Sequence, residues 1–100
     1  MISNKRRKRK ISRLPQSISF SPSGIPLTRS DNINLMLEEL ETMHLVDLIG
    51  LKQEDAAKEM GISRKTLWKD LKSARKKVTD ALINGKKITI DMGNYELQSS

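Results

Sequence analysis

The sequence predicts a mainly α domain of three helices, flanked by short strands and preceded by a basic segment. Three observations support this prediction. Apolar residues recur at three- and four-residue steps from about residue 37 to residue 82. All three prolines lie before residue 27, in a part of the chain where helix is therefore disfavoured. The first 13 residues contain seven Lys and Arg and no acid.

Length and composition allow one small domain and exclude several classes of protein. The chain has 100 residues and a formal net charge of +7, and its pI near 9.9 is typical of nucleic-acid-binding domains. It has no cysteine and one histidine, His44, so we expect no disulfide, metal site or cofactor. No apolar run approaches the roughly 20 residues of a membrane span, and the basic N-terminus lacks the apolar stretch of a signal peptide. We expect a cytoplasmic protein that does not contact a membrane.

Charge is segregated along the chain. Residues 31–59 contain eight acids and two bases, whereas residues 62–77 contain seven bases and one acid. This pattern predicts a folded part with one acidic and one basic region. The predicted divisions are a flexible basic tail (1–13), an extended and turn segment with a short strand (14–34), a helix-turn-helix domain (35–85), and a short strand with a C-terminal tail (86–100).

The segments outside the helices have simple local patterns. We expect the tail to be disordered, because it has too few apolar residues to offset the entropy of ordering, and to contact phosphates non-specifically. Residues 18–21 alternate apolar and polar, which predicts a short strand. Residues 22–24 predict a turn, and extended structure is expected to resume at 25–27. Residues 87–91 alternate in the same way and are a candidate partner for the strand near Phe20.

Helical periodicity begins at Leu37. The first helix is predicted from there to Gly50, with its acids facing solvent and those of its first turn suited to the positive end of the helix dipole. The second is predicted from Gln53 to Met60, and the third from its N-cap Ser63 to Gly85. The inward positions expected for the first helix are Leu37, Leu40, Met43 or His44, and Leu48. Those expected for the third are Leu67, Leu71, Ala74, Val78 and Ala81 or Leu82.

Residues 53–71 meet the requirements of a helix-turn-helix, in which two helices are joined by a turn of three or four residues. Ala57 is the small residue needed where the helices touch. Gly61 tolerates the positive φ that the turn requires. Asp70 occupies a position that is usually apolar, so we expect Leu71 to fill that part of the core.

The outward face of the third helix carries the functional prediction. In helix-turn-helix proteins the N-terminal part of the second helix of the motif enters the major groove, where Arg and Lys donate to guanine or to phosphates. We expect residues 64–69 to contact bases, and the later bases to hold phosphates without sequence information. Trp68 is expected to be partly buried with an exposed edge. The candidate DNA-contacting residues are Ser63, Arg64, Lys65, Thr66, Trp68, Lys69, Lys72, Arg75 and Lys76.

The sequence also resembles a known family. Residues 38–67 and 74–82, together with Phe20–Leu27, Gly85–Lys87 and Gly93–Tyr95, resemble a family of small uncharacterised prokaryotic proteins predicted to bind DNA. The helix-turn-helix of this family is similar to region four of the primary sigma factors. The resemblance implies double-stranded DNA as partner and a role in transcription regulation. It places the base-contacting positions on Arg64, Lys65, Trp68 and Lys69, although Trp68 departs from the polar residue usual there.

Other interpretations stay open. The chain could be a protein-interaction module that docks on RNA polymerase or another regulator, or its basic face could be an ordinary solvated surface. RNA binding is less favoured, because RNA recognition uses exposed aromatics and the chain has only Phe20, Trp68 and Tyr95. No catalytic constellation is evident, so we expect no enzyme activity. A homodimer is compatible with the motif, since such motifs often bind paired half-sites.

Overall fold

The computed structural model describes residues 9–16, 18–24, 31–92 and 95–97. The strands are β1 (Arg9–Ile11), β2 (Ser19–Phe20), β3 (Asn32–Met36), β4 (Lys87–Asp91) and β5 (Tyr95–Leu97). The helices are α1 (Leu37–Met43, continued by a π-helical segment His44–Ile49), α2 (Gln53–Met60) and α3 (Arg64–Asn84). The predicted mainly α class with short flanking strands is confirmed.

The bounds of the helices follow from local signals. Helix α1 begins at Leu37, as predicted, and the Oε1 atom of Glu39 accepts the Met36 backbone N–H at 2.9 Å, which satisfies one of the donors left free at a helix start. Helices α2 and α3 have the predicted bounds. The glycines expected to end the first and third helices, Gly50 and Gly85, adopt the left-handed conformation.

The second half of the first helix differs from the prediction. Residues 44–49 form a π-helical segment, in which hydrogen bonds span five residues instead of four. The wider turn shifts the phase of the apolar stripe, so that Leu45 is buried and Leu48 is 77% exposed. The prediction that Leu48 lies on the inward face was therefore wrong, because it assumed regular α-helical spacing.

Strand β4 is the centre of a three-stranded sheet. It pairs antiparallel with β2, where Phe20 lies opposite Ile88, and this confirms the predicted pairing of the two segments. It also pairs parallel with β3, from Asn32 opposite Lys87 to Met36 opposite Asp91. This strand continues to Met36 and so crosses residue 35, where the helix-turn-helix domain is predicted to begin. Residues 32–35 do alternate polar and apolar, the pattern of a strand, but the pairing itself joins positions 55 residues apart, from 32 to 87.

The predicted tail was too long. Residues 9–11 form β1, which pairs parallel with β5, and Ile11 is fully buried against Leu37 and Ile90. One apolar side chain with a place in the core, together with the strand pairing, therefore orders this part of the basic segment. The rest of the predicted tail up to residue 8, and the extended structure expected at 25–27, lie outside the described residues.

Two apolar clusters form the core. One joins α1, α2 and α3 through Leu45, Ala57, Met60 and Leu67, with Ile62 at its edge. The other lies between β1, the start of α1 and β4. Within the described residues, no helix has both the length and the apolar character that a membrane crossing requires.

Substitution of Ile11 tests the correction to the tail. We expect Ile11→Ala to lower the free energy of unfolding by about 2–5 kcal/mol, the usual range for truncating a buried aliphatic side chain. The exposed neighbour Arg13 is the control, and Arg13→Ala should change it by less than about 0.5 kcal/mol. Urea denaturation followed by circular dichroism measures both. Equal stabilities would show that residues 9–11 are not part of the core.

Candidate nucleic-acid interface

The turn between α2 and α3 is closed by backbone hydrogen bonds. Gly61 follows α2 with φ of 70°, a value that L-residues with a side chain rarely adopt. The N–H groups of Gly61 and Ile62 donate to the carbonyls of Lys58 (3.1 Å) and Ala57 (3.0 Å), which is the usual closure of a helix end by glycine. Ala57 is buried against α3. The two helices are thus joined by only three residues, Gly61–Ser63, as the sequence predicted.

The start of α3 is capped by Ser63. Its Oγ atom accepts the Thr66 backbone N–H at 3.0 Å and donates to Thr66 Oγ1 at 2.9 Å, which confirms the predicted N-cap. Both hydroxyl groups therefore take part in local hydrogen bonds. The remaining N–H groups of the first turn stay available to an anion approaching along the helix axis.

One face of α3 is buried along its length. Leu67, Leu71 and Ala74 have no exposed surface, and Ala81 is buried as well. Leu71 therefore fills the core as expected. Asp70 lies beside this face and pairs with Arg9, with Arg9 Nη2 at 3.1 Å from Asp70 Oδ2.

The opposite face of α3 carries a lysine stripe, which we define as Lys65, Lys69, Lys72 and Lys76. These residues recur at four-, three- and four-residue steps and hence share one face of the helix. All four side chains are exposed. None of the ion pairs found within the described residues involves a member of the stripe. On the helical wheel the stripe lies opposite Leu67 and Leu71, so burial of those residues directs it to solvent.

Arg64 and Trp68 flank the stripe near the start of α3. Trp68 is 43% exposed, as predicted for a side chain with one buried and one free edge. With Gln53 and Lys65, the two residues line a shallow groove of about 500 Å³. The first two turns of α3 therefore present an indole edge beside cationic groups.

Arg75 is held differently from its neighbours. Its Nη2 and Nε atoms donate to the two carboxylate oxygens of Asp47 at 2.7 and 3.2 Å. The side-chain hydrogen bonds to Asp47 raise the pKa of Arg75 above its ordinary value. Of the nine candidate residues, Arg75 is thus tied to α1 by a two-point contact, and it stands apart from the lysine stripe.

Two acids of α1 that were expected to face solvent are buried. Glu39 is 7% exposed and Glu41 is 2% exposed, so that expectation was wrong for both. Lys77 Nζ donates to Glu39 Oε1 at 2.8 Å, and the Ser73 hydroxyl donates to the other oxygen. A buried carboxylate needs such partners, because it loses hydration, and the two donors come from α3, more than thirty residues further along the chain.

Glu41 lies in a second polar cluster, with Ser12 and His44. The Ser12 backbone N–H and Oγ atoms lie 2.9 and 2.6 Å from Glu41 Oε2. His44 Nδ1 lies 3.1 Å from Glu41 Oε1 and 3.2 Å from Ser12 Oγ. In a catalytic triad the nucleophile and the carboxylate contact opposite nitrogens of the ring, whereas here both meet Nδ1. The arrangement suits a structural tie between the segment after β1 and α1.

These contacts show which bases of α3 are paired with acids of α1. Lys77 and Arg75 are paired with carboxylates of α1, whereas the lysine stripe is not. Two bases of α3 are therefore paired with carboxylates of α1, and the four lysines of the stripe stay exposed on one outward face. Sequence reasoning grouped Arg75 with the free bases, because the position of Asp47 is set by tertiary packing.

The fold and this exposed face define a class, that of small three-helix domains in which a three-residue turn precedes a long basic helix. The chain belongs to the family described as "Protein of unknown function DUF134", whose model matches residues 1–98. Membership in a family of small prokaryotic proteins, expected from the resemblance, is thereby confirmed. DNA binding by that family remains a prediction.

Several curated relatives are similar to the chain. It is 52% identical over 88 residues to a UPF0251 protein of Methanocella arvoryzae, covering 88% of this chain and 53% of the relative. It is 53% identical over 90 residues to one of Methanococcus vannielii, covering 90% and 69%. It is 46% identical over 88 residues to one of Desulforudis audaxviator, covering 88% and 58%. The chain spans about half the length of the first of these relatives. No solved structure matches it.

Substitution of Glu39 tests the link between α1 and α3. We expect Glu39→Ala to lower the free energy of unfolding by about 1–3 kcal/mol, because Ser73 and Lys77 lose a buried acceptor. Glu39→Gln keeps an acceptor and should cost less. Glu59→Ala, which removes an exposed acid of α2, is the control. Urea denaturation measures all three, and an equal loss for Glu39→Ala and Glu59→Ala would contradict the role of the buried carboxylate.

Proposed function

We propose that the protein binds double-stranded DNA sequence-specifically and regulates transcription in the cytoplasm, with α3 in the major groove. The lysine stripe is the observation that carries this proposal. It places four ammonium groups without ion-pair partners, among the described residues, on one face of the helix that follows a three-residue turn. Duplex DNA offers one negative charge per ~1.7 Å, so a row of cations on one helix face complements it.

The length of α3 limits which of its residues can contact bases and which can contact only phosphates. Its 21 residues span about 31 Å at 1.5 Å per residue, whereas the major groove is only about 12 Å wide. Only the first turns can lie deep in the groove. We assign base contacts to Arg64, Lys65, Trp68 and Lys69. Phosphate contacts then fall to the N-terminal turn, at Ser63 and Thr66, and to Lys72 and Lys76.

The predicted phosphate contact of Arg75 stays a prediction, and the structure gives a reason to rank it below the others. A phosphate would have to compete with the two-point contact from Asp47. A surface ion pair of this kind contributes about 0–1 kcal/mol, so a phosphate that displaces Asp47 from Arg75 loses about that much binding free energy.

A second candidate is a protein-interaction module that docks on RNA polymerase or another regulator. An apolar groove of about 500 Å³ beside α1 favours it, lined by Leu14, Leu37, Leu40 and Met43, with the exposed Leu48 at its edge. The two candidates differ in their response to salt. Duplex binding through several phosphates weakens steeply as salt rises, whereas an apolar contact does not.

Selection on random duplex DNA followed by gel-shift titration tests the base contacts. We expect the selection to yield a preferred sequence, and Arg64→Ala with Lys69→Ala to weaken binding to it and relax the base preference. Discrimination at each lost contact should fall by about 1–3 kcal/mol. Lys52→Ala with Lys58→Ala is the matched control, because it removes two exposed bases outside α3. If the first pair of substitutions has no more effect than the control, α3 does not contact the bases.

The salt dependence of affinity tests the phosphate contacts. We expect Lys72→Ala with Lys76→Ala to weaken binding to all sequences alike and to lower the slope of log K against log [salt] by about 1.8, at 0.9 per contact. Arg75→Ala should change the slope less, because Asp47 already holds its guanidinium. A slope change for Arg75→Ala equal to that of Lys76→Ala would overturn this distinction.

A further inference from the structure

Trp68 is an apolar side chain that stays exposed on the helix to which we assign the major groove. The residue is 43% exposed, whereas its neighbour Leu67 has no exposed surface. The other large apolar residues that are exposed on α3, Leu82 and Ile83, lie in its last turn. In the first two turns of the helix, the exposed part of the indole is therefore a single apolar feature among polar and charged side chains.

The surroundings of Trp68 are mostly cationic. Arg64 precedes it by four residues, so the two side chains are neighbours on one face of α3. Together with Lys65 and with Gln53, the first residue of α2, they line a groove of about 500 Å³. On the helical wheel Trp68 lies about 100° from Leu67, between the buried face and the lysine stripe. A partner that fills this groove therefore meets positive charge and an amide on most sides and an apolar surface on one.

The major groove of duplex DNA offers one apolar group that matches this surface, the C5-methyl group of thymine. The groups around the methyl are donors and acceptors on the base edges and negatively charged phosphates, which suit the arginine, the lysine and the amide. An indole has a single N–H donor and no acceptor, so it lacks the two-point hydrogen bonding by which other side chains identify a base. Its apolar surface is what remains for recognition.

We propose that Trp68 contacts the C5-methyl group of a thymine and so makes that position of the DNA site specific for thymine. This proposal rests on the proposed function, because it names the base that one residue of α3 selects. Partial burial of the residue favours a methyl contact over stacking on an unpaired base, the usual role of aromatics in single-strand and RNA recognition. Stacking needs a free ring face, whereas less than half of Trp68 is exposed.

Replacement of thymine by deoxyuridine removes only this methyl group and tests the contact on the unsubstituted protein. Each thymine of the preferred sequence is replaced in turn, and affinity is measured by fluorescence anisotropy with labelled duplexes. We expect binding to weaken about fourfold at the contacted thymine, the effect of returning one methyl-sized group to water. In Trp68→Ala, verified as folded by circular dichroism, the loss at that position should vanish. Arg64→Ala, which removes a neighbouring cation, should bind more weakly and still keep the fourfold difference.

Fluorescence of Trp68 gives a second measurement that needs no variant. Trp68 is the only tryptophan of the chain, so quenching by acrylamide reports the exposure of this side chain alone. We expect a saturating thymine duplex to protect it more than the deoxyuridine duplex does.

Three results would overturn the methyl contact and leave the proposed function standing. One is sequence-specific binding with no loss at any deoxyuridine position. Another is an equal loss at the contacted position in the unsubstituted protein and in Trp68→Ala. The third is protection of Trp68 by single-stranded DNA of the same sequence but not by the duplex, which indicates stacking on an unpaired base. Failure to bind any duplex overturns the proposed function together with the methyl contact.

Discussion

Burial of the apolar face of α3 determines where every other side chain of that helix points. Leu67, Leu71 and Ala74 have no exposed surface, and a helix has one rotational setting that buries all three. The lysine stripe is displayed as a consequence of this packing and needs no contacts of its own. The interior is so closely packed that removing one methylene group affects the structure. The packing of the buried face therefore fixes the orientation of the outward face closely.

Two acids of α1 neutralise two bases of α3. Glu39 forms an ion pair with Lys77, and Asp47 forms one with Arg75. Both acceptors lie on one helix and both donors on another, so the same contacts also fix how α1 and α3 meet. The bases left over are those that point away from α1. The cationic face is therefore selected by the packing of two helices as well as by the number of lysines.

Sequence reasoning succeeded where signals are local. Helices α2 and α3 were predicted from apolar spacing, the cap at Ser63 and the glycine at position 61, all of which act within a few residues. It missed β1, because a single apolar residue, Ile11, orders that basic segment. It missed β3, because the alternation at residues 32–35 runs directly into the helical pattern. It missed the π-helical segment, because regular spacing was assumed. It did not distinguish Arg75 from Lys76. Helical spacing turns Arg75 about 100° away from the lysine stripe, but its pairing with Asp47, 28 residues earlier, is visible only in the structure.

The parallel pairing of β3 with β4 has a consequence for the order of folding. These strands enclose all three helices, since β3 runs directly into α1 and β4 follows α3 after two residues. Closing so long a loop lowers the conformational entropy of the chain before the strand pairing contributes any favourable free energy. Prior packing of the helices shortens the effective loop, because it brings its two ends together. We therefore expect the sheet to form late, on helices that have already packed against one another.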